Sequence, residues 1–185
     1  MKSGSAMLYL MGVPGSGKTT LLGAALGDLP CAVVWPGKGN PQPVYTEYAG
    51  GAQLGYAQGK FGGTDRLSMN IQPRVLDWMQ GCSFDRLVAE GDRLCNPSFF
   101  AGVIQMGWRL SVVWLDTPLD VAAARRDARG TRQNRSWVAG RITKIGRLQN
   151  WADAGWRLDG SQTVEQLAER LCQHPIIRDI RSGIA

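Results

Sequence analysis

The sequence predicts a three-layer α/β fold: a five-stranded parallel sheet with helices on both faces, closed over by a basic lid. Three observations carry this. Short apolar runs alternate with amphipathic runs along the chain, the pattern of a parallel sheet covered on both sides. A glycine-rich loop joins the first apolar run to the first helix. Positive charge is concentrated in one late stretch. The 185 residues suit one domain with a full core. Residues 1–185 are therefore read as a single unit, with an insertion at about 38–70 and the lid at about 125–147.

The elements follow in order. The first strand covers about Ala6 to Met11, and a helix from Gly17 to about Leu26 carries Leu21, Leu22 and Leu26 on one face. Cys31 to Trp35 is a short apolar run closed by Pro36-Gly37, hence a second strand. Residues 38–64 are rich in Gly, Pro and Gln, too long for a plain connector, and read as a functional loop. Leu67, Ile71, Val75 and Met79 recur every four residues, which predicts a helix from about Asp65 to Met79, bent or interrupted at Pro73. Arg86 to Ala89 is the third strand, and a helix spans about Pro97 to Met106. Arg109 to Leu115 is the fourth strand, Leu119 to Ala128 a helix, and about Ser136 to Trp151 another. Trp156 to Leu158 is the fifth strand. The last helix opens with Thr163-Val164-Glu165-Gln166, the spacing of a reciprocal N-terminal cap. Residues beyond Pro175 read as a peripheral tail.

The loop between the first strand and helix reads Gly12-Val13-Pro14-Gly15-Ser16-Gly17-Lys18-Thr19, followed by Thr20. This is the G-x-x-x-x-G-K-[ST] pattern in its proper strand-to-helix context, and it predicts a P-loop NTPase fold. Gly12, Gly15 and Gly17 let the backbone bend tightly and aim N–H groups at phosphate oxygens. Lys18 supplies a point charge to the β- and γ-phosphates, and Thr19 offers a hydroxyl to Mg²⁺. The helix dipole adds to the attraction. ATP with Mg²⁺ is the expected ligand pair.

Composition limits the alternatives. Hydrophobic and charged fractions of 44% and 19% are those of a soluble globular chain. No apolar run approaches the roughly 20 residues of a membrane span, and the first run ends in the phosphate loop, unlike a signal peptide. Cys31, Cys82, Cys95 and Cys172 are scattered, and the single His174 completes no zinc spacing with them. No structural metal is expected; the cysteines read as reduced and mostly buried, in a cytoplasmic setting. The net charge is +6, and its location matters more than its size. From 125 to 147, Arg125, Arg126, Arg129, Arg132, Arg135, Arg141, Lys144 and Arg147 stand against one acid, Asp127. Such a patch recruits polyanions.

In three-layer α/β domains, ligands collect at the carboxyl ends of the strands. Those ends are the phosphate loop, Trp35-Pro36-Gly37, Glu90-Gly91-Asp92-Arg93, Asp116-Thr117-Pro118 and Asp159-Gly160-Ser161. Arg125, Arg129 and Arg132 lie where a helix meets a turn containing Gly130, so they are the candidate transition-state arginines, though any of them also reads as part of a solvated helix face. Asp65 is a candidate acceptor of a hydroxyl proton. Thr64 or Asp65 can equally cap the following helix, and Gly62-Gly63 permits close backbone approach to a ligand.

The short chain, the early phosphate loop and the passage from Trp114-Leu115-Asp116-Thr117-Pro118 into the arginine-rich segment resemble the nucleoside and nucleotide kinase superfamily over nearly the whole length. The resemblance implies a kinase whose lid excludes water, and a carboxylate after the third strand that orders Mg²⁺. Glu90-Gly91-Asp92-Arg93 departs from that family's Glu-Arg-Ser. Glu90 is assigned to the metal or base and Asp92 to acceptor orientation, with their exchange left open.

A narrower resemblance rests on Leu54-Gly55-Tyr56 and on Phe61-Gly62-Gly63-Thr64-Asp65-Arg66-Leu67-Ser68-Met69, together with Glu90 to Arg93. These look like bacteriophage P-loop kinases that act on 5-hydroxymethyldeoxyuridine (5-hmdU) already incorporated in viral DNA. That implies phosphorylation of the base's hydroxymethyl group, a step toward hypermodified thymine, with DNA containing 5-hydroxymethyluracil as partner. Lys38, Lys60 and Lys144 with the lid arginines could track a DNA backbone. Trp35, Tyr45, Tyr48, Tyr56 and Phe61 either stack on an extruded base or pack a core. A kinase of free nucleosides or nucleoside monophosphates, and a nucleotide-dependent DNA-binding switch, are the alternatives.

Overall fold

The computed structural model describes residues 4–36, 42–56, 62–130 and 134–183. The strands are β1 (Ala6–Met11), β2 (Cys31–Val34), β3 (Tyr45–Tyr48), β4 (Gly51–Leu54), β5 (Arg86–Glu90), β6 (Arg109–Asp116) and β7 (Arg157–Asp159). The helices are α1 (Lys18–Leu26), α2 (Gln72–Gly81), α3 (Pro97–Gln105), α4 (Leu119–Ala128), α5 (Arg135–Gly146), α6 (Val164–Cys172) and α7 (Pro175–Ser182), with short 3-10 turns at Thr64–Arg66 and Gln149–Trp151.

One sheet runs β2-β3-β4-β5-β1-β6-β7. The central β1 is parallel to β5 and β6, and β4 and β7 extend that parallel set, whereas β2, β3 and β4 pair antiparallel. The expected five parallel strands are therefore seven in a mixed sheet. The two extra strands lie in the stretch read as a loop. Gly51-Ala52-Gln53-Leu54 has almost no strand propensity, yet its four residues are wholly buried beside β5. Its turn from β3 is tight because α7 leaves no space: a Cβ on Gly50 would sit 2.6 Å from the Asp179 carbonyl oxygen.

Alternation along β1 builds the layers. Met7, Tyr9 and Met11 face a core with Val75, Met79, Phe99, Phe100 and Val103. Ala6, Leu8 and Leu10 face a second core with Leu21, Leu22, Leu167, Leu171 and Ile177. All six β1 residues are buried, as a strand covered on both faces requires.

Further boundaries differ from expectation. Pro73 does not bend a long helix; it sits in the first turn of α2, where its missing N–H costs nothing. The expected helix to Trp151 ends at Gly146 and resumes as a 3-10 turn. The tail after Pro175 is α7, which buries Ile176, Ile177 and Ile180. Its cap was hidden in the sequence: the Ile176 N–H donates to His174 Nδ1 at 3.2 Å, a role taken here by imidazole in place of the usual hydroxyl or carboxylate. The reciprocal cap of α6 between Thr163 and Gln166 forms as expected. All four thiols are free: Cys82 and Cys95 are buried, Cys172 is half-buried and Cys31 is exposed.

Candidate active site

The carboxyl ends of β1 and β5 meet at one cleft. It is walled by Gly12, Pro14, Gly15, Gly17, Lys18 and Thr19 on one side, and by Gly62, Asp65, Glu90 and Asp92 on the other; Arg126, Arg129, Trp137 and Ile145 close it. Gly15 and Gly17 take left-handed backbone conformations, with φ of +85° and +100°, which turn consecutive N–H groups toward one concavity. Gly12 serves a different need. Its φ is ordinary, but a Cβ there would lie 2.8 Å from the Leu115 carbonyl oxygen. Lys18 Nζ donates to the carbonyl oxygens of Gly12 at 2.9 Å and Val13 at 3.1 Å, so its charge is held inside the loop's curve. Thr20 faces away from the cleft, toward an adjoining cavity.

Glu90 ends β5 opposite Leu10 of β1 and is 1% exposed. Its Oε1 accepts the Thr19 hydroxyl at 2.8 Å. Burial pushes the Glu90 carboxyl upward, while the Lys18 charge and the Thr19 hydrogen bond pull it back toward the ionised form. A hydroxyl and a carboxylate side by side at the mouth of a phosphate loop are hard oxygen donors suited to Mg²⁺. Asp92 is more distant from that pair's role: its carboxylate is held by Arg141 at 2.6 Å and Lys144 at 3.1 Å, both from α5. Among the described residues no group of three or more His, Cys, Asp and Glu side chains converges as a metal cluster.

Gly62 and Gly63 lie against this pair. A Cβ on Gly62 would overlap the Thr19 methyl group, and one on Gly63, whose φ is +62°, would overlap the Glu90 carboxylate. The close approach read from Gly-Gly is thus to the site's own carboxylate. The next turn, Thr64–Arg66, presents Asp65 to the cleft; its Oδ1 accepts the Asp92 N–H at 2.5 Å. The capping alternative is not realised at α2, whose N-terminal flank is Ile71 with no side-chain cap.

The arginines divide. Arg125 donates to the Ser16 carbonyl oxygen at 2.9 Å and the Gly160 carbonyl oxygen at 3.2 Å, tying the phosphate loop to the end of β7. Arg126 donates to the Pro14 carbonyl oxygen at 2.6 Å and reaches the cleft, a placement the sequence reading missed. Arg129 borders both the cleft and the adjoining cavity, and its charge opposes the upward push of burial on the Glu90 carboxyl. Arg132 lies outside the described residues, as do Lys38, Lys60 and Phe61. The adjoining cavity, about 400 Å³, is lined by Leu21, Leu115, Val164 and Leu167 with Thr20, Arg125 and Gln162 at its polar edge. Its volume lies in the range of small-molecule pockets.

Of these aromatics, Tyr48 is buried and Tyr45 packs, partly buried, against the core. Tyr45 packs on Trp78 and Phe84 with ring centroids 5.1 and 5.5 Å away, and Tyr48 is 4% exposed. Trp35 and Tyr56 remain near the surface. Trp137, which no motif marks, stands at the cleft.

Sheet order, phosphate loop and paired Thr19–Glu90 define an α/β P-loop nucleotide-binding domain of the kinase type. The chain belongs to the P-loop Nucleotide Kinase3 family, whose model matches residues 3–168. Among solved structures it is similar to a sugar kinase from Janibacter sp. HTCC2649 in unliganded form, at 17% identity and a TM-score of 0.57, covering 98% of each chain. It is also similar to the tunicamycin resistance protein of Deinococcus radiodurans, at 17% identity and a TM-score of 0.52, covering 91% of this chain and 94% of that one. At such identities the likeness is one of fold. No curated protein matches the sequence. Among the described residues no helix is long and apolar enough to cross a membrane.

Proposed function

We propose that this protein transfers the terminal phosphoryl group of ATP to an alcohol, and that the alcohol is the hydroxymethyl group of 5-hydroxymethyluracil in DNA. The observation that carries the reaction type is the shared cleft: the phosphate loop with Thr19 on one wall, Glu90 and Asp65 on the other with Glu90 bonded across to Thr19, and Arg126 and Arg129 closing it.

In this reading the loop amides and Lys18 hold the β- and γ-phosphates, and the adjoining cavity takes the base. Thr19 and Glu90 hold Mg²⁺, which when bound neutralises charge on the phosphates. Asp65 accepts the proton of the acceptor hydroxyl as its oxygen bonds to the γ-phosphorus and the bridging bond to ADP breaks. Arg129 stabilises the charge spread over the transferring oxygens, with Arg132 beside it in the chain as a second candidate. Arg125 fixes the loop from behind. Asp92 anchors α5 over the cleft, and through the Asp65 contact it holds the proposed base in place. Segment 125–147 acts as the lid and excludes water.

The DNA acceptor is supported by the block Gly62 to Met69, by a sequence pI of about 9.5, and by the aromatic residues left at the surface. A free nucleotide acceptor is the second reading, favoured by the family's description as nucleotide kinases. The test offers labelled ATP with 5-hydroxymethyluracil DNA, the free nucleoside or its monophosphate, at two salt concentrations. Label in DNA that falls with salt supports the proposal. Label only in free nucleotide replaces the acceptor, and ATP hydrolysis without labelled acceptor replaces the kinase by a nucleotide-dependent switch.

A further inference from the structure

We propose that Trp35, Tyr56 and Arg66 form a subsite that stacks a nucleobase of the acceptor strand and pairs its adjoining phosphate. This rests on the DNA acceptor proposed above and names the residues that would recognise the strand.

Trp35 follows β2 at the sheet edge and leaves 62% of its surface exposed. Its ring meets Tyr56 edge-to-face, with centroids 5.1 Å apart. The Arg66 guanidinium lies 4.2 Å from the centroid of the Tyr56 ring. Stacking of this kind holds the guanidinium plane while leaving its N–H edge available for an anion. Arg66 forms no ion pair among the described residues. An exposed indole, a phenol ring and a held cation form a surface that matches a base with its phosphate in both shape and charge.

The cluster is joined to the cleft by short covalent and hydrogen-bonded links. Tyr56 and Gly63 exchange backbone hydrogen bonds of 3.2 and 2.7 Å, and Gly63 packs on Glu90. Arg66 is the residue after Asp65, in the same 3-10 turn. One turn therefore sends Asp65 into the cleft and Arg66 onto the Tyr56 ring. A strand whose reacting nucleotide approaches Asp65 would carry its neighbour across Tyr56 and Trp35.

The test is fluorescence anisotropy of a dye-labelled single-stranded oligonucleotide bearing one 5-hydroxymethyluracil, with ATP binding measured on the same preparations. Trp35→Ala and Arg66→Ala are each expected to weaken oligonucleotide binding about tenfold, with ATP binding retained. Trp35→Phe should recover most of the loss, and Arg66→Ala should reduce the salt slope by about one. Unchanged affinity in both alanine variants overturns the subsite, as does a wild-type protein that binds no oligonucleotide. Should Trp35→Ala also lose ATP binding, Arg66→Ala decides. The labelled-acceptor assay separates the two ideas: Trp35-dependent binding without labelled DNA keeps the subsite and removes the DNA kinase, whereas labelled DNA with normal binding in the variants does the reverse.

Discussion

At the residue scale, the cations nearest the phosphate loop, Lys18, Arg125 and Arg126, all donate to its backbone carbonyl oxygens. Lys18 is held by two carbonyl oxygens of its own loop, so its loss removes charge from the cleft without opening the core. Lys18→Ala is expected to lower transfer about a hundredfold or more while circular dichroism stays native. Arg129 contacts neither core and borders the two ligand spaces. Arg129→Ala should lower turnover by about a hundredfold with a much smaller change in ATP affinity, read from kcat against nucleotide binding. The sequence made Lys18, Thr19 and Glu90 legible because each sits at a fixed distance from a strand end. It did not reveal Arg126 or Trp137, since one arginine in a run of arginines looks like any other. Only the helical phase of α4 and α5 brings these two to the cleft.

At the element scale, α7 is the least expected part of the fold and the most exposed to pH. The Ile176 N–H donates to His174 Nδ1, so the neutral ring carries its proton on Nε2 and donates to Ser111 Oγ at 2.8 Å. The Ser111 hydroxyl in turn donates to the Asp153 carboxylate. Desolvation lowers the His174 pKa from 6.5 to about 4; Asp153 opposes the shift and Arg109 adds to it. A second ring proton would face the Ile176 N–H. The folded state thus prefers neutral His174. Its contribution is complete above pH 6.5 and is lost as pH falls from 6.5 through about 4. His174→Asn keeps a capping oxygen but cannot titrate. The difference between wild-type and variant denaturant midpoints should therefore change across that window and be flat above it. Fold class was readable from alternation of apolar runs, and β1, β5 and β6 appeared almost where expected. β4 was not, because its place in the sheet comes from burial between β3 and β5 and not from its own side chains. α7 was missed because three isoleucines after a proline made too short a pattern to register as a helix.

At the scale of the whole molecule, the net charge is +6 on 185 residues, and Lys18, Arg126 and Arg129 bring positive charge to the cleft. If the acceptor is a DNA strand, log KM for that strand should rise steeply with log salt, while KM for ATP shifts little. Initial rates at four or five salt concentrations check this, and parallel slopes for the two substrates would remove the polyanion from the argument. The layers also distribute tolerance to change. Positions 62 and 63 have no room for any side chain, since Thr19 and Glu90 occupy the volume a methyl group would need. Diversification of the acceptor wall is therefore denied to the segment nearest the chemistry and pushed outward to its flank. Descendants of this chain that acquire new substrates should keep that glycine pair and vary Trp35, Tyr56 and Arg66, so relatives with different preferences would be told apart by their rim and not by their centre.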